Sequence, residues 1–273
     1  MNGTAVAGTL WTQPYLTYLV AAGIAVARAL GLVMITPAFT RLGITGLLRS
    51  CVAAVVAVPV VPKVVEALAT TQLTSPIISG LIIKEMLVGA IVGLVFGIPF
   101  WAAETAGDLV DLQRGSTAAQ LLDPLSLTAS NITSTFLTIT LLGLFFLMGG
   151  FATLLGGLYD SYGLWPAASF TPVLGTNSVG PLLHVLDQIM LASIVMVAPV
   201  VIGLLLADIG LGFLSRMAPQ FHVFDMSLSI KNLLFTFLLA VYAAVLLPHM
   251  LSEIQGLSGS FDVLRKLVAE TPP

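Results

Sequence analysis

Charge is scarce in this chain. Its 273 residues carry 10 Lys and Arg and 13 Asp and Glu, 8% in all, where a soluble domain carries roughly 25%. With so few cations and a formal net charge of −3, no basic face for nucleic acid can be assembled. Cysteine is nearly absent as well: Cys51 stands alone, so neither an intramolecular disulfide framework nor a Cys-cluster metal site is available. Residues 2–27 contain no Lys or Arg, so the basic n-region of a signal peptide is missing and the first apolar stretch is expected to be retained as a helix. What is abundant is apolar surface. Hydrophobic residues make up 58% of the chain and the mean hydropathy is +1.05, more than a single soluble core can hide. The composition is that of an integral membrane protein or the lipid-like core of a larger assembly.

A bilayer core about 30 Å thick needs about 20 apolar helical residues. Candidate spans are 15–35, 48–69, 76–103, 128–158, 181–207 and 230–251. The stretches 188–207 and 232–252 lack any charge, as does 124–159, whose 36 residues exceed one perpendicular crossing. That stretch is either a long tilted helix or a hairpin broken near Gly149-Gly150 or Gly156-Gly157. Other spans are interrupted, by Arg28 in the first, by Pro59 and Pro62 in the second and by Lys84-Glu85 in the third. Such features are tolerated where protein or water, and not lipid, meets them. The expected fold is all-α and polytopic, with about six long apolar helices or helical hairpins. Residues 1–251 form one helical domain, followed by a polar tail, 252–273, that holds an amphipathic stretch from Phe261 to Val268.

Few residues carry chemistry. Gly89, Gly93 and Gly97 fall four apart on one helical face, a small-residue stripe that lets helices approach closely. With Lys84 and Glu85 they mark span three as buried in protein; packing within the chain is the plainer use of such a stripe, and the expectation is a partner-facing helix at a subunit interface. Glu104, Asp108 and Asp111 sit at i, i+4 and i+7, with Arg114 one turn on. Three carboxylates on one face suit a proton or cation pathway. The favoured reading is plainer, a solvated or interfacial helix end following Pro99 with Asp111 and Arg114 paired. A pathway would need a second polar helix opposite, which Asp208 or Asp187 could supply. No H-E-x-x-H, G-x-S-x-G or phosphate loop occurs, and Gly256-Leu257-Ser258-Gly259, superficially like a serine-protease nucleophile, lies after the last apolar span. No metal, cofactor or catalytic residue is expected.

Two blocks go beyond hydropathy. The first is Lys84-Glu85, Pro99-Phe100-Trp101-Ala102-Ala103-Glu104, Gly107 and Asp111-Leu112-Gln113-Arg114-Gly115. The second is Leu206-Ala207-Asp208-Ile209-Gly210-Leu211-Gly212, Arg216-Met217-Ala218-Pro219-Gln220, Val223-Phe224 and Lys231. Together they resemble the SctT (YscT/SpaR/HrcT) proteins of type III secretion, the injectisome counterparts of flagellar FliR, and the D-x-Q-R-G string favours the injectisome branch. His222 and Ser229 depart from the family's usual Asn and Pro. The resemblance implies a non-enzymatic subunit of an export gate in the bacterial inner membrane. It implies SctR-like and SctS-like gate partners, SctU-like and SctV-like apparatus proteins, unfolded secreted substrates and contact with membrane lipid. It also implies a plug after the Q-R-G string. Gly115 can end the preceding helix in a left-handed conformation, and Pro124 discourages a helical Asp123. The expected plug is therefore Gly115, Ser116, Thr117, Ala118, Ala119, Gln120, Leu121, Leu122 and Asp123, with Leu121 and Leu122 as the apolar constriction and Gln113 and Arg114 at its base. In the second block Asp208, Gly210, Gly212, Arg216, Pro219, Gln220 and Lys231 are expected to form a turn held by polar contacts. The alternative reading is an ion-coupled small-molecule transporter built on Glu104, Asp108 and Asp111.

Overall fold

A computed structural model describes residues 14–69, 73–115, 131–170, 179–218 and 223–268. Among them there is no strand. Helix α1 (Pro14–Ile35) is the first apolar span. It starts on a proline, whose missing N–H is no loss in a first turn. It ends where Pro37 forces Thr36 into an extended conformation, φ −68° and ψ 119°, as residues before proline prefer. A short α2 (Pro37–Arg41) leads to α3 (Gly46–Ala57), the 3-10 turn Val58–Val60 and α4 (Val61–Leu68). Pro59 and Pro62 thus tighten the second span into a 3-10 turn without ending it.

The third stretch, expected to run unbroken to residue 103, is instead two helices: α5 (Ser75–Phe96) and α6 (Ile98–Arg114). The break falls at Gly97, just before Pro99, whose ring and absent donor are incompatible with a continuous helix interior. The long charge-free stretch is also two helices, α7 (Ile132–Leu147) and α8 (Gly150–Leu164). Gly149, at φ 72°, makes the joint. The stretch is therefore not one long helix; it breaks at the first of the two glycine pairs. Then come α9 (Val179–Met217), α10 (Val223–Gly256), the 3-10 turn Leu257–Gly259 and α11 (Ser260–Val268). Five helices are long and apolar enough to cross a membrane, six if the α7–α8 pair counts as one span. At 39 residues, α9 is about 58 Å long at 1.5 Å per residue, so it exceeds the hydrocarbon core.

The chain divides into two compact units. The first comprises residues 1–98, 149–185 and 257–273. Its centre is the pair α1 and α5, which run parallel: Arg28 meets Glu85 and Thr36 meets Gly93, both 57 residues apart. Close approach depends on glycine. A Cβ at Gly89 would collide with the Arg28 carbonyl, one at Gly31 with the Met86 carbonyl, and one at Gly93 would lie 2.8 Å from the Leu32 carbonyl oxygen. Ile24, Leu32, Val88 and Val92 are buried along this seam. Helix α8 also reaches α5, where Gly157 makes room for the Phe96 ring. Leu264 of the amphipathic α11 is fully buried.

The second unit comprises residues 99–148 and 186–256. Gly107 of α6 lies against the backbone of Ser134 on α7, and Phe100 meets Phe145 edge-on at 5.2 Å. Leu238 of α10 packs over Gly203 of α9. A stripe of α10, namely Leu233, Phe237, Val241 and Val245, is 59–75% exposed. Those residues recur every fourth position on one face, a contiguous apolar surface suited to lipid or to another subunit.

Candidate functional site

The two sequence blocks meet in the second unit. Helix α6 ends in a polar face, and Asp111 on it is fully buried. Its carboxylate accepts from the N–H of Thr133 at 3.0 Å, from the Thr133 hydroxyl at 2.6 Å and from the N–H of Ser134 at 3.4 Å. Those amides belong to the first turn of α7, which has no intrahelical partner for them. A negative charge is favoured at that positive end of the helix dipole. Asn131, one residue before α7, donates to Asp108 at 2.7 Å, and the Ser134 hydroxyl donates to the Glu104 carbonyl at 3.0 Å. Arg114 pairs with Asp111 at 2.6 Å and lies 4.4 Å from the centroid of the Phe235 ring on α10. Asp111 therefore binds a residue three positions on and two residues more than twenty positions on. It ties together the chain on both sides of residues 116–130.

The second block completes this arrangement. Lys231 of α10 pairs with Asp208 of α9 at 2.6 Å. Gln113 donates its side-chain amide to Asp208 at 2.9 Å, while its carbonyl accepts from Lys231 at 3.1 Å. The end of α6 is held by α9 and α10 through both the side chain and the backbone of one residue. Gly115 then takes φ 77°, its N–H donating to the Leu112 carbonyl, and closes α6. Ser116, Thr117, Ala118, Ala119, Gln120, Leu121, Leu122 and Asp123 lie outside the described residues, as do Pro219 and Gln220. Arg216 is exposed, and no ion pair joins it to another described residue. Gly210 and Gly212 border open space among the described residues.

The charges of span three lie in the first unit, within the chain. Glu85 is fully buried and bonds Arg28, also fully buried, at 2.5 Å. Arg28 further donates to the Ser161 hydroxyl at 3.0 Å and to the Trp165 carbonyl at 2.7 Å, with the Tyr162 ring 3.7 Å from its guanidinium carbon. Lys84 pairs with Glu85 at 2.6 Å and donates to the Pro166 carbonyl at 2.6 Å. Two cations face one carboxylate, and the carbonyls of Trp165 and Pro166, just past the end of α8, accept from them as well. Gly89 and Gly93 of the stripe meet α1 of the same chain, and Gly97 forms the α5–α6 joint.

Sequence reasoning found Asp108, Asp111, Gln113, Asp208 and Lys231 but missed Asn131, Thr133, Ser134, Ser161, Tyr162, Trp165 and Phe235. One signal was available: an arginine in the middle of an apolar span requires a buried carboxylate, and Glu85 is the carboxylate on another such span. Among the described residues no group of three His, Cys, Asp or Glu could hold a metal ion.

Long apolar helices with sparse charges, most of the buried ones paired within the chain among the described residues, define a polytopic membrane protein. Residues 19–257 match the family model described as "Bacterial export proteins, family 1", and the chain belongs to that family. It is 38% identical over 190 residues to Yop proteins translocation protein T of Yersinia pestis, covering 68% of this chain and 73% of that protein. It is 31% identical to surface presentation of antigens protein SpaR of Salmonella typhimurium, covering 66% and 69% respectively. It is 26% identical to flagellar biosynthetic protein FliR of Escherichia coli, covering 70% and 72%.

Proposed function

We propose that this protein is a non-enzymatic subunit of the export gate of a type III secretion system. It sits in the bacterial inner membrane as a multi-pass protein and helps to form the channel for unfolded substrates. Family membership, together with closer likeness to the translocation proteins than to the flagellar one, favours the secretion branch. Partners in this reading are SctR-like and SctS-like gate subunits, with SctU-like and SctV-like proteins completing the apparatus. The bare apolar faces of α9 and α10 are where such subunits would be received.

Within this reading the segment after Gln113-Arg114-Gly115 is the plug. The observation that carries it is the double hold of Asp111 on Arg114 and on Thr133 and Ser134. Both flanks of the segment are thus fixed at one buried carboxylate, and Asp208 and Lys231 hold Gln113 at its base, which supports an anchored plug over residues 115–123. Deleting Ser116–Leu122 should make the inner membrane leaky to ions and small solutes while the assembled complex keeps its composition by native mass spectrometry. A deletion mutant that assembles, stays tight and secretes normally would leave the plug without support. A wild-type chain extracted free of other export subunits would count against the gate itself. The transporter alternative is less favoured: Asp111 accepts from Thr133, Ser134 and Arg114, one oxygen of Asp108 accepts from Asn131, and Asp208 is bound to Lys231 and Gln113.

A further inference from the structure

In the first unit a groove of about 420 Å³ opens beside the α1–α5 seam. Its volume lies within the roughly 300–1,000 Å³ of small-ligand sites. Met34, Met86 and Leu87 form its walls, Gly31 and Ala90 are the smallest residues of its lining, and every other lining residue is apolar except Arg49. The groove has a definite depth. It follows α1 only from Gly31 to Ile35, the last residues of a helix that spans from Tyr15 to Ile35. With α1 crossing a bilayer, the groove falls in one leaflet and ends where α1 ends. Arg49 lies in the first turn of α3, after the chain has turned back from that end, which in such a crossing is headgroup level. Its Nε donates to the Ile44 carbonyl at 3.3 Å, which fixes the stem and leaves the remaining guanidinium N–H groups for a ligand.

We propose that this groove binds one phospholipid, with an acyl chain lying along Met34, Met86 and Ala90 and the phosphate on Arg49. A single flexible chain fits a slot of this volume. A partner helix, about 10–12 Å across with its side chains, does not enter it. An all-apolar groove with one cation at its headgroup end is charge-complementary to an anionic lipid, and basic sites between membrane helices bind such headgroups. The exposed Leu47 and Leu48, 78% and 62% accessible, extend the apolar surface beside Arg49, where the second acyl chain would lie. This inference depends on the chain's place in a membrane and not on its export role.

The test is native mass spectrometry of the detergent-extracted protein titrated with phosphatidylglycerol. One tightly held phosphatidylglycerol per chain is expected. Arg49→Gln should weaken retention about fivefold, the weight of one cation at headgroup level, and Ala90→Leu, which fills the groove, should abolish the tight adduct. Arg41→Gln, on the same side but outside the groove, should retain it. An unchanged elution profile for each variant establishes that the fold is intact. A photoreactive side chain in place of Met34 should cross-link to lipid. Loss of the adduct in Arg41→Gln as in Arg49→Gln, its survival in both groove variants, or a cross-link to another export subunit would each overturn the proposal.

Discussion

The run from Ile132 to Leu164 begins on an acid and ends on two bases. In the second unit Asp111 accepts from the opening amides of α7, and in the first unit Arg28 and Lys84 donate to the carbonyls of Trp165 and Pro166 that follow α8. Both use the rule that helix ends carry unsatisfied groups and partial charges, with opposite signs. They differ in sealing. Arg28 and Glu85 are wholly inaccessible and Lys84 is 6% exposed, whereas exposure rises from 0% at Asp111 through 11% at Arg114 and 15% at Lys231 to 37% at Asp208. A sealed cluster can only hold a fold. A graded one reaches the solvent beside the segment proposed above as the plug, and on that reading its loss should be felt in function before stability.

The largest effect is expected where sealing is complete. Glu85→Ala leaves buried Arg28 and Lys84 without their carboxylate, and removing one partner of a buried ion pair costs ~3–5 kcal/mol. The melting temperature of the purified protein in detergent should fall sharply, with little folded chain recovered from membranes. The triple variant Arg28→Met, Lys84→Met and Glu85→Met removes all three charges of the cluster and should recover much of that loss, because apolar side chains of similar volume replace groups that were expensive to desolvate. A triple variant as damaged as the single one would show that the cluster does more than balance its own charges.

A smaller stability effect and a larger functional one are expected at Asp111. Asp111→Ala leaves two first-turn amides of α7 without their acceptor, and each unsatisfied buried group costs about 1–3 kcal/mol. Asp111→Asn keeps one acceptor oxygen and loses the charge that holds Arg114, so it should be milder. Both should assemble, yet both should raise ion leakage across the inner membrane, with Asp111→Ala the leakier. Equal melting losses at Asp111 and Glu85, without leakage at Asp111, would erase the contrast between the units.

Much of this was legible in the sequence, and the limits have physical causes. Among the described residues hydropathy located the five helices long and apolar enough to cross a membrane, because spans of about 20 apolar residues leave few alternatives. The joint at Gly97 was hidden because Pro99 sits only two residues beyond it inside a continuously apolar stretch, and hydropathy is blind to a missing N–H. The carboxylate ladder Glu104, Asp108 and Asp111 was visible as a helical face, but its use was not. What decides it is the N-terminus of α7, and an amide donor leaves no trace in composition. Arg28 and Glu85 were visible separately as misplaced charges. Their meeting depends on α1 and α5 running parallel past Gly31, Gly89 and Gly93, a tertiary fact that the small-residue stripe allows without dictating a partner.

The smallest stability effect belongs to Lys231 and Asp208, and it makes the finest test of the comparison. This pair lies at the open end of the gradient, 15% and 37% exposed, and exposed ion pairs contribute about 0–1 kcal/mol. Lys231→Gln should therefore leave the melting temperature almost unchanged. Its second bond distinguishes it from an ordinary surface cation: Lys231 also donates to the carbonyl of Gln113, two residues before the left-handed Gly115. Glutamine keeps a donor but is shorter and uncharged, so the Asp208 pair weakens while the backbone contact is partly preserved. Asp208→Asn keeps an oxygen for Gln113 and removes the charge that positions Lys231. If the pair sets the base of the segment after α6, both variants should alter secretion in a type III export assay while complex yield stays at the wild-type level. Combining them should add little, because each breaks the same contact. Additive losses, or losses in yield without any change in secretion, would place Asp208 and Lys231 with the sealed cluster, as elements of the fold alone.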